Sequence, residues 1–200
     1  MGILTSLLTR EGLIRLVLTV PCVLVALTFH EYAHAWVAMK LGDPTARNLG
    51  RLSLNPFKHL SLLGTICMIL FHFGWANPVP INTRHFKKPR RDMAISASAG
   101  PIMNLLLGFV SAFVTIFLLK MFSIFPAKTE FWGNVQFFAI QLFYMFHMIN
   151  LSYAVFNLIP LPPLDGSRIA YIFLPTKWYF GVMKYEHYIK MGFLILLWAS

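Results

Sequence analysis

The sequence predicts an all-α polytopic membrane protein, a bundle of about four to five transmembrane helices with a re-entrant or edge-strand element between the first and the next spanning helix. Three observations predict it. Hydrophobic residues fill 58% of the 200 positions and charged residues only 12%, about half the charged share of an ordinary soluble domain. The apolar residues gather into runs of membrane-crossing length. The basic residues fall in short loops between those runs, as they do where loop charge sets topology.

The first run extends from about Gly12 to Met39, longer than the roughly 20 residues a spanning helix needs. The second, LSLLGTICMILFHFGWA at 60–76, is ambiguous. Gly64 and Gly74 interrupt it and Pro78 and Pro80 follow, poor residues for one continuous helix. Its flanks are the two most basic loops. One holds Lys40, Arg47, Arg51 and Lys58; the other holds Arg84, Lys87, Lys88, Arg90 and Arg91. Both face the cytoplasm if 60–76 re-enters or packs against protein rather than crossing, and that is the expected arrangement. The third run, from about Met93 to Leu119, then travels outward, and the fourth, from about Trp132 to Ile159, returns. The closing GFLILLWAS is too short to span. Its helix starts earlier, near Tyr179, with Lys184, Glu186 and Lys190 on one face, or the chain continues.

No Gly/Ser-rich linker, long charge run or internal repeat divides the chain, so residues 1–200 are expected to form a single integral-membrane domain. The net charge of +10 would suggest nucleic acid on a soluble protein. Here it reads as topology, and no nucleic-acid-binding motif accompanies it. The opening MGILTS fits the short N-myristoylation pattern, but a spanning helix follows directly, and no small-residue cleavage site follows the first run. Cys22 and Cys67 lie far apart in apolar runs and are expected as buried thiols rather than a disulfide.

The chemistry begins at HEYAH, residues 30–34, at the end of the first run. His30 and His34 are one helical turn apart and share a face. Their nitrogens can therefore reach one Zn²⁺ at about 2.0–2.1 Å. Glu31 flanks such a metal and can take a proton from a bound water and hand it to a leaving amine. This is the H-E-x-x-H arrangement of metalloproteases. With seven His and four Glu in the chain, chance supplies only about 0.005 such patterns, though any short motif carries some false-positive risk. The ordinary explanation, two histidines hydrogen-bonded inside a bundle, must also account for a glutamate in an apolar helix, where ionisable groups are functional by default.

A catalytic zinc takes three protein ligands. Asp165 is the best third ligand, because the stiff LIPLPPLDG segment falls at the same membrane depth as HEYAH and Gly166 permits a sharp turn. His147, in mid-membrane, is the runner-up. Asp43, in the turn GDP, reads as a turn or cap residue, and Asp92 as a cap for the third helix. His59, His72, His85 and His187 have no special spacing. His147, Asn150 and Asn157 form a polar stripe on the fourth helix. For His147 and Asn150 interhelical hydrogen bonding explains the stripe best.

HEYAH, AGPIMN (99–104) and NLIPLPPLDGSR (157–168), in this order, resemble the site-2 protease family of intramembrane zinc metalloproteases, in its compact prokaryotic branch without a PDZ domain. GDPTARNLGRLSLNP and GWANPVPIN add to the likeness, which covers most of residues 25–170. The resemblance implies one Zn²⁺ per chain on His30, His34 and Asp165, with Glu31 as general base and acid. It implies that Asn157 helps hold substrate or the developing oxyanion and that Asn104 positions unwound substrate. The stretch from about Leu49 to Asn82 would supply re-entrant and edge-strand elements that clamp substrate as an added strand. The expected partners are a transmembrane protein substrate and the lipid bilayer, and the expected location is the cell membrane, with the site towards the cytoplasmic side. Two other classes compete: a metal-ion transporter, which would use the same intramembrane His and Asp, and an inactive membrane scaffold. Substitution of Glu31 separates them, since transport could survive it and proteolysis should not.

Overall fold

The computed structural model describes residues 9–61, 64 and 77–175, together with positions 181, 185, 188, 189, 191 and 192. Five α-helices organise the main part: α1 (Arg10–Lys40), α2 (Thr45–Asn48), α3 (Pro89–Ile124), α4 (Glu130–Asn157) and α5 (Asp165–Ala170). The protein is an all-α polytopic membrane protein. Among the described residues α1, α3 and α4 are long and apolar enough to cross a membrane. The further candidate spans, 60–76 and the run from near Tyr179, lie outside the described residues but for isolated positions, as do Cys67, His72 and His187. Cys22 is a free, buried thiol.

Each long helix starts where local chemistry starts it. The Thr9 side chain accepts from Gly12 N at 3.1 Å, and Thr129 accepts from Trp132 N at 3.4 Å, satisfying donors that a helix start leaves open. Pro89 opens α3, a position where its missing N–H matters least. Asp92, expected as a cap, works from inside the first turn, reaching back to accept from Lys88 N at 2.9 Å.

The packing inverts that of a soluble bundle. On α3 the buried stripe is small or polar: Ser96, Gly100, Asn104, Gly108, Ser111 and Thr115 recur every three or four residues. The outward face carries Leu106, Phe109, Phe113 and Phe117. Lipid is as apolar as Leu, so small interfaces and internal hydrogen bonds drive association instead. Along this stripe α3 packs against both α1 and α4, and α5 docks against α3. Thr19 and Cys22 on α1 meet Met145 and Leu142 O on α4.

The loops close one end of the bundle. Asn77 N donates to His59 O at 2.7 Å, and Asn77 Nδ2 donates to Leu60 O at 3.2 Å. These bonds hold Asn77 beside the end of the 56–60 turn. No strand forms among the described residues. Where an edge strand was expected, residues 49–61 and 77–82 hold an isolated bridge at Leu60 and a 3-10 turn at Pro56–Lys58.

Asp43 anchors this end. It is fully enclosed, and its carboxylate accepts from Thr45 N, the Thr45 hydroxyl, His85 Nδ1 (2.8 Å) and Asn82 N (2.7 Å). Asp43 and His85, both weighed as ligands, are thereby committed to each other. Burial alone would push the Asp43 pKa up, but these hydrogen bonds outweigh it and hold the carboxyl below the ordinary carboxylate range. The stability it contributes is therefore complete above the unfolded-state pKa, about 3.9, and is lost as pH falls through the depressed folded-state value. Asp43→Ala should lower unfolding free energy by about 3 kcal/mol near neutral pH, since several donors lose one acceptor. Unfolding titrations from pH 7 downward should show the gap between wild type and variant closing in acid.

Candidate functional site

His30 and His34 project from the last third of α1. At 1.5 Å per residue they lie roughly 15 and 9 Å from the helix end at Lys40. Both are buried. Asp165 arrives from the opposite direction, as the first residue of α5. The turn before it folds tightly onto the end of α4, and a side chain at Gly166 would strike the backbone of Leu158 and Ile159. The glycine thus lets this turn close and sets the carboxylate in place.

The three side chains meet at one point. His30 Nε2 lies 3.0 Å and His34 Nε2 3.2 Å from Asp165 Oδ2, and the two nitrogens are 3.0 Å apart. Two donors bound to a tetrahedral zinc at about 2.0–2.1 Å would sit roughly 3.3 Å from each other. Far-side partners settle what these atoms carry. His34 Nδ1 donates to Ser96 O at 2.7 Å, and His30 Nδ1 donates to Asn104 Oδ1 at 2.5 Å. With the protons on Nδ1, both Nε2 atoms present lone pairs to the centre. Asp165 Oδ2, close as it is, makes no hydrogen bond and is enclosed. Three lone-pair atoms facing one another in a buried site are stable around a cation.

The space beside them is kept open by Gly100. A Cβ built there would fall against His34 Nε2 and against Cε1 and Nε2 of His30. The one atom that glycine lacks would fill the cradle between the rings. Among the described residues this trio is the only His/Cys/Asp/Glu group whose geometry could hold a metal ion.

Glu31, next on the helix, is buried too, and its Oε2 accepts from Val79 N at 2.8 Å. Val79 stands between Pro78 and Pro80, neither of which has an N–H, so its amide is the one donor this stretch can offer. Arg51 Nη2 steadies the segment by donating to Asn77 O at 2.6 Å, and Val79 packs with Ala35 and Ala46.

Other sequence candidates sit elsewhere. His147 Nδ1 donates to Gly108 O at 2.8 Å, and His59 Nε2 donates to Ser53 O at 2.7 Å. Asn157, partly buried, donates to Tyr153 O within its own helix at 3.0 Å. Asn104, to which the resemblance gives a part in positioning substrate, is fully enclosed, with its amide bonded to His30, Ala26 O and Asn150. Gly100, Ser96 and Val79 were not singled out from the sequence. Gly100 had a signal, since it begins the GPIMN of the second motif; Ser96 and Val79 act through backbone atoms and left none.

The chain matches peptidase family M50 across residues 18–198. It is 42% identical over 177 residues to a Bacillus subtilis protein provisionally named zinc metalloprotease YwhC, covering 86% of this chain and 76% of that one. It is 31% identical over 153 residues to Rip2 of Mycolicibacterium smegmatis, covering 72% of this chain and 52% of the relative. With MJ0611 of Methanocaldococcus jannaschii it shares 29% identity over 142 residues, 70% of this chain and 62% of the other. Both of these carry the same provisional name of zinc metalloprotease. The chain thus spans about three quarters of the Bacillus relative and about half of the mycobacterial one. No solved structure matches it.

Gly100→Ala tests the cradle. Alanine is the better helix former by up to about 1 kcal/mol, so helix content should hold while metal binding falls more than roughly tenfold. Circular dichroism and zinc content of the purified protein measure the two; undiminished zinc in the variant would show that the space is not the metal's.

Proposed function

The chain belongs to peptidase family M50, and from that premise we propose that it is an intramembrane zinc metalloprotease, hydrolysing peptide bonds within or next to transmembrane segments of membrane-protein substrates. The observation that carries this reading is the convergence of two imidazole Nε2 atoms and one enclosed carboxylate oxygen within about 3 Å of one another, inside a bundle of apolar helices, beside a glutamate.

His30, His34 and Asp165 would hold one zinc ion. Bound there, zinc supplies Lewis acidity that polarises the scissile carbonyl and brings the pKa of a water towards 7. Glu31 accepts the proton of the attacking water and returns it to the nitrogen of the leaving amine. The Val79 N–H occupies one oxygen of that carboxylate and leaves the other for the exchange. Asn157, at the end of α4, helps hold substrate or the oxygen on which charge develops. A helical substrate hides its carbonyls in its own hydrogen bonds and must open locally before attack.

The chain works as one integral-membrane domain over 1–200. Its location is the cell membrane, multi-pass, with the active site towards the cytoplasm. The nine Lys and Arg of loops 40–59 and 78–92 support that orientation.

The test is cleavage of a model transmembrane substrate by detergent-purified protein. Glu31→Gln should lower kcat by about 10²–10⁴-fold with zinc still near one per chain. Asp165→Ala should lose the zinc, and His147→Ala should keep it. Cleavage indifferent to Glu31→Gln would sink the mechanism and favour metal transport through the same ligands.

A further inference from the structure

For His30 to offer Nε2 to a metal, its proton must sit on Nδ1, and Nδ1 must face an acceptor. The group it faces is a primary amide, which is an acceptor on one side and a donor on the other. Turned over, the Asn104 side chain would present Nδ2–H to His30, draw the proton onto Nε2 and aim it at Asp165. The centre therefore depends on which way round one buried amide sits.

Two contacts set that orientation. Asn104 Nδ2 donates to Asn150 Oδ1 at 2.9 Å and to Ala26 O at 3.3 Å. The second is long, and Ala26 O also stands at the i−4 position that accepts from His30 N in a helix. The shorter bond, to Asn150, is the stronger constraint. Asn150 is an amide as well, and its own direction is settled by Nδ2 donating to Phe146 O at 2.8 Å. A backbone carbonyl only accepts, so the polarity of the whole chain of bonds has one solution. Asn104 and Asn150 have no exposed surface and His30 is buried, so no solvent competes.

We propose that Asn150, on α4, is a positioning residue for the metal centre: through Asn104 it fixes the proton of His30 on Nδ1 and so keeps Nε2 free for the ion. The proposal rests on the reading of His30 as a ligand. It links the third long helix, which supplies no ligand of its own, to the chemistry on α1.

Two variants separate this role from packing. Asn150→Leu keeps the volume and removes the acceptor. Asn150→Asp, as a neutral carboxyl, keeps an acceptor for Asn104 and a donor for Phe146 O. Zinc affinity of each is read by competition with a chelator in detergent, beside the melting temperature of the metal-free protein. N150L should bind zinc about 10–100-fold more weakly, the usual effect of removing a group that orients a ligand, while N150D stays within about threefold of wild type. Equal weakening in both variants, or none in N150L, overturns the relay while leaving the metal centre standing. Failure of the wild type to bind zinc overturns both. Should N150L not fold, nitrogen NMR of the metal-free wild type decides: a proton on Nδ1 of His30 supports the relay, and a proton on Nε2 overturns it.

Discussion

Hydrocarbon offers no hydrogen bonds, so imidazoles, carboxylates and amides placed within it must be satisfied by the protein itself. The bundle is arranged around that requirement. His34 is held by a carbonyl of α3, His30 by an amide of α3, that amide by another on α4, and Glu31 by a backbone N–H from the strap at 77–82. Each bond also fixes a distance between elements, so polar satisfaction and helix packing are the same problem here. At the centre itself Asp165 Oδ2 and the two facing Nε2 atoms turn lone pairs towards one another with no donor between them. A cation at that point closes the account.

Close approach follows from the choice of small residues. A buried stripe of Gly, Ser and Asn lets α3 lie against α1 and α4 closely enough for side chains of different helices to bond. Gly100 does more than narrow the interface, because the volume it leaves empty is the volume between the rings. Gly166 plays a matching part on the other side, where the chain turns back from α4 to present Asp165. The exposed phenylalanines of α3 then need no protein partner, since lipid covers them.

The loops at this end are as ordered by hydrogen bonds as the helices. Asp43 ties the end of α1 to Asn82 and His85, and Arg51 and His59 bind Asn77. The strap carrying Val79 is thus secured on both sides before it reaches Glu31. Its prolines remove competing donors on either side of Val79, so a short irregular segment delivers a single N–H to the carboxylate.

The sequence by itself determined the all-α membrane class, the three long apolar helices, and the one-turn spacing that puts His30 and His34 on one face, because periodicity and composition are local properties. It also singled out Asp165, by its expected membrane depth and by the stiffness of the proline segment. What it could not carry were relations across the fold. Asn150 reads from the sequence as an interhelical hydrogen-bonding residue, and it is one, but that its amide and that of Asn104 form one path to His30, over separations of 74 and 46 residues, is written in no local pattern. Ser96 and Val79 contribute a carbonyl and an N–H, groups every residue has and no motif can flag. Gly100 contributes an absence of atoms. Which way an amide points, which backbone group meets a ring and which gap stays open depend on three helices arriving together, and only the tertiary structure decides that.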